Sequence, residues 1–287
     1  MDPKVNYKVH PQETIFFFLK LIISFGLYGL LIWLILNLSK ADDPKMMAFL
    51  PVILFYLALI IVYVFFRFGI LIGHLKGNAV KLNKNQFPDL YQTVSLQTEL
   101  LGLKRVPDVF ILQSGGVMNA FAARFLGRNY IVLFSEVVET AYEQDMHIIE
   151  FIIAHELGHI RRKHMIKSLV CFPASIIPFL GAAYSRACEY TCDNIGHALA
   201  PAGLRSGLLI LASGRSLYKK VNLKSYLFQD QTEDGFWKWF AEKVSSHPNL
   251  TKRLASFIDA RMVQEVPETV SAILKKETDH AKYMPQG

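Results

Sequence analysis

Residues 152–164 read IIAHELGHIRRKH: two histidines four apart, His155 and His159, with Glu156 beside the first and apolar residues around them. On a helix, residues four apart lie one above the other, so both imidazoles can present a ring nitrogen to one metal ion. Glu156 then stands one step round the helix, close to the metal without having to ligate it. Two neutral ligands, a carboxylate base and an open position for water are what a hydrolytic zinc site needs. Gly158 costs a helix about 1 kcal/mol relative to alanine, and its missing side chain lets another segment or the substrate approach closely. An amphipathic helix that carries histidines by chance has the same pattern over HELGH, so a third protein ligand decides between the two readings.

The extended zinc motif with a further histidine fails, because Arg162 and Met165 occupy its glycine and histidine positions. His164 is one place short and reads as a polar residue at the helix end. Candidates come instead from SRACEYTCDNIG, 185–196, where Glu189 and Asp193 are four apart on what reads as a second helix. Glu189 can bind zinc there while Asp193 holds a ligand histidine in one tautomer. A solvated acidic face is the competing reading. Against it stand Ala187, Cys188, Tyr190, Cys192 and Ile195, which are mostly not surface residues, and a buried carboxylate needs a partner. Cys188 and Cys192 share a helix face and could bind metal, but read as small packing residues. With Cys171 they show neither CxxC spacing nor a disulfide framework, which suits a reducing compartment.

The chain of 287 residues is 52% hydrophobic and 19% charged, more apolar than an ordinary soluble protein. Two apolar runs, 15–38 and 49–73, hold the excess, each long enough to cross a hydrocarbon core, which takes about 20 helical residues. The first exceeds the core of about 7–15 residues expected of a cleaved signal, and buried core helices seldom need runs of this length. The expected organisation is a membrane anchor over 1–76 and one domain over 77–287. Lys4 and Lys8 precede the first span and Lys76, Lys81 and Lys84 follow the second, against Lys40 and Lys45 in the loop between, which puts the domain on the cytoplasmic side. The net charge of +7 suits an anionic leaflet. No zinc finger, RNA-recognition motif or basic stripe with aromatics is present, so nucleic acid is set aside as a partner.

Between the anchor and the histidines the period changes. KLNKNQFPDLYQTVSLQTELLGL reads as a helix, while PDVFILQ, VMNAFAARF and NYIVLFS read as short strands separated by turns. From Tyr142 to about His164 the pattern is helical again. The fold class is therefore α+β, mainly helical: an N-terminal transmembrane helical hairpin followed by a domain with a small β-sheet. A third apolar run, 168–184, carries Pro173 and Pro178. A straight span there would place the histidines and Glu189 on opposite sides of the membrane, so it is expected to dip in and return, to fold as a short hairpin, or to rest on the surface or in the core. The aromatics of GFWKWFAEKV, 235–244, suit a membrane interface or a core equally.

HELGH, followed by SRACEYTCD, with MNAFAAR upstream and HPNLTKR downstream, closely resembles the membrane-bound gluzincin peptidases of the HtpX and CAAX prenyl protease group. The resemblance runs over roughly residues 80–260 and implies one zinc ion per chain held by His155, His159 and Glu189, with Glu156 as general base and acid. It implies that Asn119, Ala120 and Phe121 form an edge strand along which substrate lies, and that His247, with Arg253 behind it, stabilises the oxyanion. Asp193, Arg186 and Arg253 are expected in support of the ligands. The implied protein is a zinc-dependent endopeptidase in a bacterial inner membrane, in contact with the lipid bilayer. Its expected substrates are polypeptides, membrane proteins among them, in quality control, and its oligomeric state is left open. A CAAX-type prenyl-peptide protease is an alternative, although this chain has few spans with which to enclose a chamber. A non-catalytic zinc-stabilised scaffold is another, against which Glu156 argues because it need not bind metal. A transporter is disfavoured by only two spans and sparse intramembrane charge.

Overall fold

The computed structural model describes residues 3–40, 43–113, 115 and 119–258; residues 117 and 118 of the expected second strand and 259–287 of the expected domain lie outside them. Helix α1, Pro11–Leu38, has Pro11 in its first turn, where the missing N–H leaves no bond unmade. A short turn of helix, α2 (Pro44–Met47), leads into α3, Phe49–Asn78. Both long helices extend past the apolar runs, at 11–14 and 74–78. Each is long and apolar enough to cross a membrane, and only 11% and 0% of their most apolar windows are buried, so neither is the core helix of a soluble domain. Glu13, Lys20 and Ser24 on α1 are buried against the rest of the protein.

The sheet comprises β1 (Val80–Lys81) and, after α4 (Pro88–Leu100), β2 (Asp108–Leu112), β3 (Ala120–Phe125) and β4 (Arg128–Phe134). Its order is β1-β2-β4-β3, with β2 and β4 parallel and the outer pairs antiparallel, so β3 is an edge. Alternation along β2 and β4 sorts the side chains. Val109, Ile111, Ile131 and Leu133 enter the main core with Ile149, Ile153 and Leu157, whereas Phe110, Tyr130 and Val132 pack on Ile72 and Leu75 at the end of α3.

The helical stretch expected from Tyr142 is three pieces: α5 (Ser135–Glu143), α6 (Met146–Arg161) and α7 (His164–Val170). Asp145 breaks the first junction by capping α6, its side chain accepting from the His147 N–H at 3.0 Å. Lys163, at φ 57°, breaks the second. The third apolar run is not one straight helix: α7 ends, a 3-10 turn occupies Pro173–Ile176, and α8 begins at Leu180 and runs to Leu199. That turn packs on α1, with the Ala174 N–H donating to Ser24 Oγ (3.2 Å) and Tyr28 Oη to the Val170 carbonyl (3.2 Å). Four helices complete the described chain, α9 (Leu204–Ser213), α10 (Leu223–Thr232), α11 (Phe236–Val244) and α12 (Leu250–Ala255).

Gly203, between α8 and α9, sits against the first turn of α6: a Cβ there would lie 1.8 Å from the His147 carbonyl oxygen. Backbone cannot yield as a side chain can, so Gly203→Ala is expected to cost stability of about 1–3 kcal/mol or more by overpacking. A lowered thermal midpoint of the detergent-solubilised protein checks this.

Candidate active site

The site forms where α6 and α8 pack face to face. Gly158 permits it: a Cβ there would stand 3.2 Å from Cys192 Sγ and 3.3 Å from Cys192 Cα, so any larger residue would hold α8 away. Glu189 and Asp193, flanking Cys192, are thereby brought against the two histidines. His155 Nε2 and His159 Nε2 lie 3.3 Å apart, and each is 3.4 Å from an oxygen of Glu189. Around a tetrahedral ion with bonds of about 2.0–2.2 Å, neighbouring donor atoms are separated by about 3.3–3.6 Å. The three groups therefore have the spacing of three corners of such a site.

Cys192 is the competing third donor, its Sγ within 4.8 Å of ring nitrogens of both histidines. Burial, aided by the charge of Glu189, pushes its thiol pKa well above the usual range, and ligation requires the thiolate. Glu189 has the opposite tendency. Burial opposes its charge, but the two histidines and Arg253 outweigh that and hold it well below the ordinary carboxylate value. Glu189 is the donor already in the form a cation needs.

Behind the ligands lies an ionic brace. His155 Nδ1 is 3.0 Å from Asp193 Oδ1, and Arg253 Nε and Nη2 donate to the two oxygens of Asp193 at 2.7 and 2.6 Å. Arg253 Nη1 also stands 3.4 Å from Glu189 Oε2. Burial disfavours a charged His155, yet its hydrogen bonds to Asp193 and Glu189 prevail and push its pKa up to about 10. A metal entering the site displaces that proton.

Glu156, buried beside His155, faces the same cleft and has no hydrogen bond or ion pair among the described residues. The cleft, of about 200 Å³, has Asn119, Ala120 and Phe121 of the edge strand on one side and His247 and Arg253 among its other lining residues. Asn119 Oδ1 is engaged by the Ala120 N–H (2.9 Å), and the Asn119 carbonyl accepts from the Phe134 N–H (3.1 Å). His247 sits at the exposed rim with Nε2 3.6 Å from Glu189 Oε1. Arg186 stands apart from the ligand carboxylates: its Nη1 donates to the carbonyls of Glu242, Lys243 and Ser245 at 2.8–2.9 Å, fixing the turn that carries His247.

Two residues escaped the sequence reading. His164, read as a polar residue at the helix end, is buried, with Nδ1 3.1 Å from His159 Nδ1. Glu13, at the start of α1, is fully buried beside it. An acidic residue leading into an apolar span was the available signal, since such groups are costly and usually partnered.

A family model described as Peptidase family M48 matches residues 84–177, which hold α4, the three longer strands and the HELGH helix but stop short of α8. No curated protein matches the chain. Among solved structures the chain is similar to the crystal structure of S. mikatae Ste24p, with 15% sequence identity and a TM-score of 0.47, covering 88% of this chain and 67% of that one. At that identity and score the likeness assigns no role to any residue. Residues 84–177 thus match the peptidase family M48 model, with both histidines and Glu156 inside the matched stretch.

Proposed function

We propose that this protein is a zinc-dependent endopeptidase, anchored by α1 and α3, that cleaves extended polypeptide segments in the cleft between β3 and α6. The observation that carries the proposal is the convergence of His155, His159 and Glu189 at tetrahedral spacing with an unengaged carboxylate, Glu156, in the same cleft. Zinc suits a set of two imidazoles and one carboxylate with a fourth position open. When bound it supplies a polarising Lewis acid and an acidified water. Glu156 takes the proton of the attacking water and hands it to the departing amine. His247, at the rim, offers an N–H to the developing oxyanion. The unpaired edge of β3 takes the substrate as an added strand, a main-chain contact that gives affinity with little sequence preference.

The third apolar run fits this reading as a re-entrant segment. Ser24 and Tyr28, which it touches, lie 9 and 13 residues beyond Ile15. At 1.5 Å per residue that is roughly 14–20 Å into the span, near the middle of a core about 30 Å thick. Leu169, Phe172 and Ile176 are exposed there and would face lipid. The chain returns to the side it left, which keeps the histidines and Glu189 together, on the cytoplasmic side by the lysine distribution. A site at the membrane surface favours membrane proteins as substrates, in quality control of an inner membrane.

Purified protein is expected to hold one zinc and to cleave casein and a membrane-protein substrate in a chelator-sensitive way. Zinc without cleavage of either would favour a scaffold, and cleavage confined to prenylated peptides would favour the CAAX-type reading. Glu189→Ala removes one of three ligands, so zinc content and activity are expected to fall together, read by metal analysis beside the cleavage assay.

A further inference from the structure

The two histidine ligands are backed differently. His155 turns Nδ1 to a carboxylate, Asp193. His159 turns Nδ1 to a third imidazole, His164 Nδ1, at 3.1 Å. An imidazole that ligates through Nε2 carries its proton on Nδ1, so in this pair His159 donates and His164 accepts. The proton of His164 is then on Nε2. That nitrogen lies 3.3 Å from Glu13 Oε1, a close ionic contact outside hydrogen-bond geometry, and has no hydrogen bond among the described residues. The groups thus line up from His159 through His164 to Glu13, with a hydrogen bond in the first step and a close contact in the second. Cys192 Sγ, 3.8 Å from His164 Nδ1, is a weaker neighbour of the same atom.

Glu13 belongs to α1 and is inaccessible to solvent. Its Oε1 also receives Arg162 Nε and Nη2, at 3.1 and 2.8 Å, and Lys167 Nζ at 3.2 Å, while Oε2 has no hydrogen-bond partner among the described residues. Taking a carboxylate and its cations out of water is costly, and a clamp between α1 and α7 would need no histidine in line with a metal ligand. We infer that Glu13 and His164 are positioning residues for His159, so that the first membrane helix is a working part of the metal site. Partners of this kind fix ring orientation and raise ligand basicity, and their loss typically costs about 10–100-fold in metal affinity. The inference rests on the proposed reading only in taking His159 as a ligand.

The test uses the full-length protein in detergent, with His164→Phe, Glu13→Gln and the double variant. Zinc affinity is measured by chelator competition, ligand geometry by the visible spectrum of the cobalt(II) form, and the thermal midpoint without metal. Each single variant is expected to weaken zinc binding about 10–100-fold and alter the cobalt spectrum. The double variant is expected to bind no more weakly than His164→Phe, because Glu13 acts through His164. Unchanged affinity and spectrum, with only a lower midpoint, would make the cluster a structural ion pair and overturn the inference. Additive losses in the double variant would overturn it as well. Should Glu13→Gln fail to fold, His164→Phe, which preserves ring volume, decides alone by the same readouts. A parent protein that binds neither metal would overturn the peptidase reading and this inference with it, whereas a binding parent with unaffected variants sinks the inference alone.

Discussion

Glu156→Gln keeps its zinc and loses peptidase activity by about 10²–10⁴-fold, the range general-base catalysis contributes. Retention of metal follows from geometry: the donors at tetrahedral spacing are His155, His159 and Glu189, and Glu156 shares no hydrogen bond or ion pair with them among the described residues. The amide of glutamine has nearly the shape of the carboxylate, so the packing of α6 is undisturbed. It cannot accept the proton of the attacking water, so the loss falls on kcat. Metal analysis of both proteins beside casein cleavage checks this. Loss of zinc together with activity would place Glu156 among the ligands or in their support, and the division of labour proposed for the site would be wrong.

Arg253→Met has the largest expected effect on stability. The arginine is almost completely buried and is the counter-charge to two buried carboxylates, Asp193 and Glu189. Removing one partner of a buried ionic network leaves an uncompensated charge, which costs about 3–5 kcal/mol. The acid sensitivity shifts too. Burial raises the pKa of Asp193, but Arg253 and the His155 hydrogen bond bring it below its ordinary value. A carboxyl held down in this way contributes stability above its unfolded pKa of about 3.9 and loses it as pH falls through the lower folded value. Without Arg253 burial raises the Asp193 pKa, so protonation removes the uncompensated charge as pH falls and the variant's disadvantage shrinks. Thermal midpoints of parent and variant measured from pH 7 down to pH 4 should differ most at neutral pH and converge on the acid side; a constant difference would assign the cost to packing alone.

The presence of α1 and α3, the three longer strands ahead of α6 and the HELGH helix were legible because each depends on local periodicity: an apolar run, alternation at period two, or two residues one turn apart. Glu189 and Asp193 were legible as a candidate pair for the same reason, since i and i+4 share a face on any helix. Local pattern also has its limit. Asp145 and Lys163 cut the expected single helix into pieces through a cap and a left-handed residue, both consistent with the composition but not dictated by it. The partners of Arg186, Arg253 and Glu13 were beyond any local pattern, Arg253 being placed near the ligands by family resemblance alone. They lie 56–59, 60 and about 149–154 residues away, and no spacing rule spans such distances. Arg186 braces backbone carbonyls rather than a ligand carboxylate because α8 carries it past the end of α11. The sequence by itself determined which side chains could do metal chemistry. The tertiary structure decided which of them meet and what stands behind them, including a glutamate from the membrane helix, because buried charges take whatever partner the packing of distant segments brings within reach.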